Sequence, residues 1–178
     1  MSAPRYDRGA MALHWLHAVL VLGLIAWGLY MVDLPKGPER SFAIGLHKSF
    51  GVVALLLVVL RLWWRMRHPA PPDPRLGEVE RKLAAAGHHL LYLLLLATPL
   101  AGYLSSSFTQ YPMKVFGLVI PKAGWPDEAI NAFFNGAHKL FAWSLLALIV
   151  IHLAAVLMHA IKGKAVLGRM LPGRGAVR

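Results

Sequence analysis

The sequence contains no cysteine. That absence excludes disulfides, iron–sulfur clusters, thiolate metal sites and covalent attachment of a c-type haem. Acidic residues are scarce too: Asp and Glu number 8 against 19 Lys and Arg in 178 residues. Charged residues make up 15% of the chain, where a soluble domain carries roughly 25%. Apolar residues take their place. They reach 57% and fall in long runs separated by short polar stretches, so lipid is the expected solvent for most of the chain. Disorder and a coiled coil are excluded by the same pattern. A net charge of +11 would suit nucleic acid if the basic residues formed a face or stripe. They lie between the apolar runs instead, and no nucleic-acid partner is expected.

A hydrocarbon core of about 30 Å takes roughly 20 apolar helical residues. Four segments satisfy this, at about 13–32, 45–64, 88–108 and 138–159. The sequence therefore predicts a single all-α domain over 1–178, an integral membrane four-helix bundle in contact with lipid. The first segment follows Arg5 and Arg8 as a secretory signal would. It is too long for one, and Val32-Asp33-Leu34 is a poor cleavage site, so it reads as a retained helix. Six of the Lys and Arg residues (Lys36, Arg40, Lys48, Lys114, Lys122 and Lys139) fall on one side of the bundle. The rest, from Arg5 and Arg8 through Arg61, Arg65 and Arg67 to Arg174 and Arg178, fall on the other. That excess places both termini on the cytoplasmic side. His68-Pro69-Ala70-Pro71-Pro72-Asp73-Pro74 reads as a proline-rich cytoplasmic link. The longer outer link carries Phe116 and Trp125 and predicts a short interfacial helix over 127–136, with Pro126 before it and Asp127 and Glu128 in its first turn.

No Asp or Glu lies inside any of the four segments, so the chemistry rests on the 9 histidines. An ionisable residue within a spanning helix is costly and marks function. His138 and His152 lie fourteen residues apart. On a helix this returns to within roughly 40° of the same face and spans about 21 Å. One helix thus offers two ligands at two depths. His47, near the outer start of the second helix, matches His138. His14, about 12 Å in from a helix start near Tyr6, matches His152. Paired neutral imidazoles across a bundle interior suit a haem iron in both oxidation states, and two such pairs make a stack of two haems across the membrane.

Other uses suit these histidines less well. Zinc requires three or four ligands at one level, and a proton relay recruits carboxylates that the spans lack. His88 and His89 open the third helix on the cytoplasmic side, and either is an alternative partner for His152. His17, one turn from His14, reads as a packing residue, with a propionate or a quinone as the other candidates. His159 and His68 read as solvated or bound to headgroups. Gly51, Gly87, Gly102 and Gly136 mark places where a macrocycle or another helix can approach closely. The tryptophans fall near the interfaces and carry no cofactor argument.

Several pieces recur in a specific order: Arg5-Tyr6-Asp7 leading to Leu13-His14-Trp15-Leu16; Leu46-His47-Lys48-Ser49-Phe50-Gly51; Arg61-Leu62-Trp63-Trp64-Arg65 with His68-Pro69; Leu91-Tyr92 through Pro99-Leu100-Ala101-Gly102-Tyr103; Phe116-Gly117-Leu118 before Pro121; His138-Lys139; and Arg169-Met170-Leu171-Pro172. In order and spacing the chain resembles the bacterial cytochrome b561 proteins, four-helix di-haem cytochromes of the inner membrane. The resemblance implies that His14 and His152 ligate a cytoplasmic-side haem b and that His47 and His138 ligate a periplasmic-side one. Some relatives carry a double histidine where this chain has His159-Ala160.

The resemblance also implies a superoxide:ubiquinone oxidoreductase, in which superoxide donates an electron on the periplasmic side and ubiquinone is reduced to ubiquinol. Lys48 and Lys139 directly follow the outer ligands and are expected either to steer the anion or to pair with haem propionates. Quinone reduction consumes protons, for which His17, His88 and His89 are candidates. The alternative is a haem-containing membrane anchor that passes electrons between quinol and a periplasmic redox protein docked on residues 109–137.

Overall fold

A computed structural model describes residues 4–164 and 166–171. Arg174, Arg178 and Pro172 of the last motif lie outside the described residues. Among the described residues four α-helices dominate: α1 (Arg8–Asp33), α2 (Pro38–Arg67), α3 (Glu78–Ser107) and α4 (Glu128–Ile161). All four are long and apolar enough to cross a membrane. A spanning helix satisfies its own backbone donors and acceptors, which lipid cannot do.

The helices begin well before their apolar cores because capping residues, not hydropathy, set the first turn. Asp7 accepts from the Ala10 N–H at 2.9 Å, Asp127 accepts from the Ile130 N–H at 3.0 Å, and Glu80 accepts from the Gly77 N–H at 2.9 Å. Each satisfies an N–H that has no partner within the helix. Pro38 opens α2, where its missing N–H is harmless. The interfacial helix expected over 127–136 is not separate. It forms the first turns of α4, capped by Asp127 and followed by no proline up to Ile161.

The link over 34–37 is short, and Arg40 Nη1 donates to the Leu34 carbonyl at 3.1 Å, so α1 and α2 run antiparallel. The helices alternate in direction, α1 packing on α2, α2 on α3 and α3 on α4. Val21, Leu94 and Leu145 join α1, α3 and α4 in a common core. Large apolar side chains such as Val19, Leu56, Leu93, Leu140 and Val150 point outward, as they do where the solvent is hydrocarbon.

The two ends of the bundle differ. At one end, β1 (Lys114–Val115) pairs antiparallel with β2 (Leu118–Val119). The two-residue turn Phe116-Gly117 has φ of 48° and 87°, the doubly positive combination of a type I′ hairpin. The Phe116 N–H donates to Ser49 Oγ at 2.9 Å, and its ring meets Phe50 edge-on at 5.3 Å. The hairpin therefore rests on α2 just past His47. Sequence patterning did not anticipate it, because two-residue strands are too short to show alternation.

The opposite, terminal end is closed by a clasp. Arg169, in a short 3₁₀ turn (Leu167–Arg169), is buried and donates to the Pro4 carbonyl at 2.9 Å, to Asp73 Oδ2 at 3.2 Å and to the Pro71 carbonyl. Arg75 also grips the Asp73 carboxylate, at 2.8 and 2.9 Å. Trp15 Nε1 donates to the Met170 carbonyl at 2.7 Å, and Trp64 Nε1 to Asp7 at 2.9 Å.

The hydrogen bonds from Arg75 hold the Asp73 carboxyl at about 2, below its ordinary 3.8. A depressed carboxyl stabilises the folded state fully above the ordinary carboxylate range and loses that contribution as pH falls towards 2. Asp73→Asn is expected to cost about 2–3 kcal/mol by stripping a buried guanidinium of its anion. The thermal midpoint in detergent should fall at neutral pH, and the parent protein should loosen in the same way only below pH 4. An unaltered midpoint would show that the carbonyls alone hold Arg169.

Candidate functional site

At the hairpin end, His47 on α2 and His138 on α4 face each other with ring centres 6.1 Å apart and planes at 89°. An imidazole nitrogen binds a first-row metal at roughly 2.0–2.1 Å and the ring centre lies about 1 Å beyond, so two axial imidazoles sit about 6 Å apart. The pair already has that spacing. His138 Nδ1 lies 2.8 Å from the Thr98 carbonyl. A carbonyl only accepts, so Nδ1 carries the proton and Nε2 keeps its lone pair for a metal.

Gly102, one turn beyond Thr98 on α3, completes the seat: a Cβ there would lie 3.1 Å from His138 Nδ1. Gly28 does the same for the partner ring, since a Cβ there would lie 3.3 Å from His47 Cε1. His47 Nδ1 is buried and has no partner. A groove of about 340 Å³ runs beside His47 between α1 and α2, lined by Gly23, Leu24, Trp27, Leu46 and Phe50. Trp27 turns its N–H away to the Ala43 carbonyl at 3.0 Å, which keeps that lining apolar. Gly51, Gly87 and Gly136 face open space instead.

At the terminal end, five side chains gather on three helices and a fourth: His14 and His17 on α1, Arg61 on α2, His88 on α3 and His152 on α4. His88 and His152 rings lie 5.8 Å apart with planes at 65°. His14 lies within electrostatic reach of both. Arg61 donates to His14 Nδ1 and to His17 Nδ1, each at 3.2 Å, and its guanidinium lies 5.3 Å from the centre of the Tyr92 ring. His17 is 1% exposed and its Nε2 has no partner. His89 remains exposed.

The structure therefore brings His47 to His138 and His88 to His152, and turns His14 towards Arg61. Among the described residues no three of His, Cys, Asp or Glu converge on one point. A facing pair of imidazoles, as at each level here, fits an iron whose remaining positions a macrocycle fills.

One further histidine differs from expectation. His159 Nδ1 is shielded from solvent without a partner, because α4 packs that face towards α3. His68 is exposed, in keeping with its reading as a solvated residue, and stacks on Trp64 at 4.4 Å. Arg61 departs most from its reading as an end-of-helix charge. It lies six residues inside the end of α2 and turns inward. A signal for it was present: Arg61 follows His47 by fourteen residues, the interval that separates His138 from His152. Thr98 carried no such signal, because its contribution is a backbone carbonyl.

Lys48 is half-buried within reach of Lys122, and Lys139 is exposed. Lys122 itself is bound to the Thr109 and Tyr111 carbonyls. Among the described residues, neither Lys48 nor Lys139 meets a carboxylate within salt-bridge distance.

Residues 5–173 match the sequence model of the prokaryotic cytochrome b561 family. The chain is 40% identical over 177 residues to cytochrome b561 homolog 2 of Escherichia coli (strain K12), covering 94% of this chain and 91% of that protein. It is 31% identical over 173 residues to the probable superoxide oxidase CybB of Yersinia pestis, covering 94% and 96%. Cytochrome b561 homolog 1 of E. coli is 26% identical over 175 residues, covering 96% and 98%.

Proposed function

This chain belongs to the prokaryotic cytochrome b561 family, multi-pass electron-transfer proteins of the bacterial inner membrane that bind haem b, and from that premise we propose that it holds two haems b and oxidises periplasmic superoxide at the expense of ubiquinone. Both termini then face the cytoplasm and the hairpin end faces the periplasm, as the distribution of Lys and Arg requires. His47 and His138 hold the periplasmic haem, and His14 and His152 the cytoplasmic one. The observation that carries this reading is the His47–His138 pair, with axial spacing and with Nε2 of His138 left bare by Thr98.

When bound, each haem supplies a site that stores one electron at low reorganisation cost. The chain's own residues do the rest. His138 is fixed in tautomer and direction by α3, so no ligand has to rotate when the charge changes. Gly28 and Gly102 let the helices close on the ligand rings. Lys48 and Lys139 place two positive charges directly after the outer ligands. At the hairpin end they raise the arrival rate of a small anion, and a propionate is the other partner open to them. The overall reaction converts two superoxide anions, one ubiquinone and two protons into two dioxygen molecules and one ubiquinol. The name of the Yersinia relative, at 31% identity, supports superoxide as the donor.

A second reading is favoured by one feature. Leu118 and Val119 of the hairpin are 74% and 67% exposed, an apolar tip on which a periplasmic redox protein would dock if this chain served as its membrane anchor.

Stopped-flow mixing of the oxidised protein with superoxide, with catalase present and ubiquinone added afterwards, separates the two. The expected result is fast haem reduction followed by quinone-dependent reoxidation. Reduction no faster than superoxide's own dismutation would sink the oxidase reading in favour of the anchor.

A further inference from the structure

At the terminal end a cation lies inside an apolar bundle with no acidic partner. Among the described residues, the carboxylates that form ion pairs do so with Arg75, Lys82, Lys164 and Arg169, never with Arg61. A guanidinium at membrane depth is costly unless an anion meets it. What meets Arg61 instead is two imidazole nitrogens, His14 Nδ1 and His17 Nδ1, both at 3.2 Å.

Guanidinium stays charged and has no acceptor, so both Nδ1 atoms accept. The proton of His17 is therefore on Nε2, which is enclosed and bonded to nothing. For His14 to ligate iron through Nε2, its own proton must move to Nδ1, and it then ceases to accept from Arg61. Ligation by His14 thus releases one arm of the guanidinium, while the other arm still donates to His17 Nδ1. Such a donor is completed by a carboxylate, which the planar guanidinium fork matches. Haem b carries two carboxylates of its own.

We propose that Arg61, held in place by His17, receives a propionate of the cytoplasmic-side haem. This rests on the assignment of His14 and His152 made above. Arg61 supplies the charge, the Tyr92 ring packs against the guanidinium, and His17 Nδ1 accepts from its other arm and fixes its position. Arg61 stands on α2 at the depth of the inner ligands, fourteen residues from His47.

The test uses the purified holoprotein and its Arg61→Gln, Arg61→Lys and His17→Leu variants. Haem is counted as the pyridine haemochrome, midpoint potentials are measured by redox titration, and propionate bending is followed by resonance Raman. A cation near a haem favours its reduced state. Arg61→Gln is therefore expected to keep two haems while the reduced-to-oxidised ratio of one of them, at fixed ambient potential, falls about tenfold, or about 59 mV for one electron. Arg61→Lys should restore most of that ratio, and His17→Leu should shift the propionate band of the same haem. Two retained haems with potentials and propionate bands unchanged in Arg61→Gln would overturn this role of Arg61. If Arg61→Gln does not accumulate, His17→Leu decides: an unshifted band overturns it. Failure of the ligand assignment reads differently, as two haems kept in His14→Ala.

Discussion

His138→Ala is expected to purify with half the haem of the parent protein and to lose its reduction by superoxide almost completely. The imidazole it removes is the one whose tautomer is fixed by a main-chain carbonyl, so no neighbouring side chain inherits the position. His47 alone would offer a haem a single protein ligand beside an apolar groove. The second pair lies about 21 Å along the axis, too far for one substitution to disturb it, so the remaining haem should keep its spectrum. Pyridine haemochrome quantitation and a redox titration check both halves of this expectation. A full complement of haem in His138→Ala would place the ligand elsewhere on α4 or α3.

An equally large effect separates the two candidates for the inner pair. His14→Ala is expected to lose the cytoplasmic-side haem, whereas His88→Ala should retain it, with at most a change in the quinone-dependent step. His88 makes the closer ring contact to His152, at 5.8 Å, yet its side chain is exposed. His14 is half-buried on the helix that faces α2. Haem content decides between them, and loss of one haem from His88→Ala with two retained in His14→Ala would exchange their roles.

The bundle was legible in the sequence because its cause is local. Four runs of about twenty apolar residues, separated by polar links, permit little else in a membrane. The outer pair was legible for the same kind of reason, since helical spacing fixes both depth and face. Helix starts were less so: Asp7, Gly77 and Asp127 cap turns that lie outside the apolar runs, and hydropathy does not register a cap. The hairpin was hidden by its length. Arg61 looked like one basic residue among several near a helix end, and only the rotation of α2 reveals that it turns inward while Arg65 and Arg67 do not. Gly28 and Thr98 act through close approach and a main-chain oxygen, which residue identity at one position does not encode. Gly102 does stand at a close approach, although the group that approaches it is the His138 ring, and Gly51, Gly87 and Gly136 show that glycine near a histidine does not by itself mark one.

The clasp around Arg169 has a consequence for the order of events during synthesis. Its partners, Pro4, Pro71 and Asp73, leave the ribosome long before Arg169 does, and the bond to Pro4 bridges 165 positions. Until α4 has been threaded, Asp73 has only Arg75 beside it and the segment before α1 is held by Trp64 and Arg65 of α2 alone. Closure therefore reports that all four helices are in place. Chains stalled at the third helix would expose that segment and the proline-rich link to proteases on that side of the membrane, and completed chains would shield both.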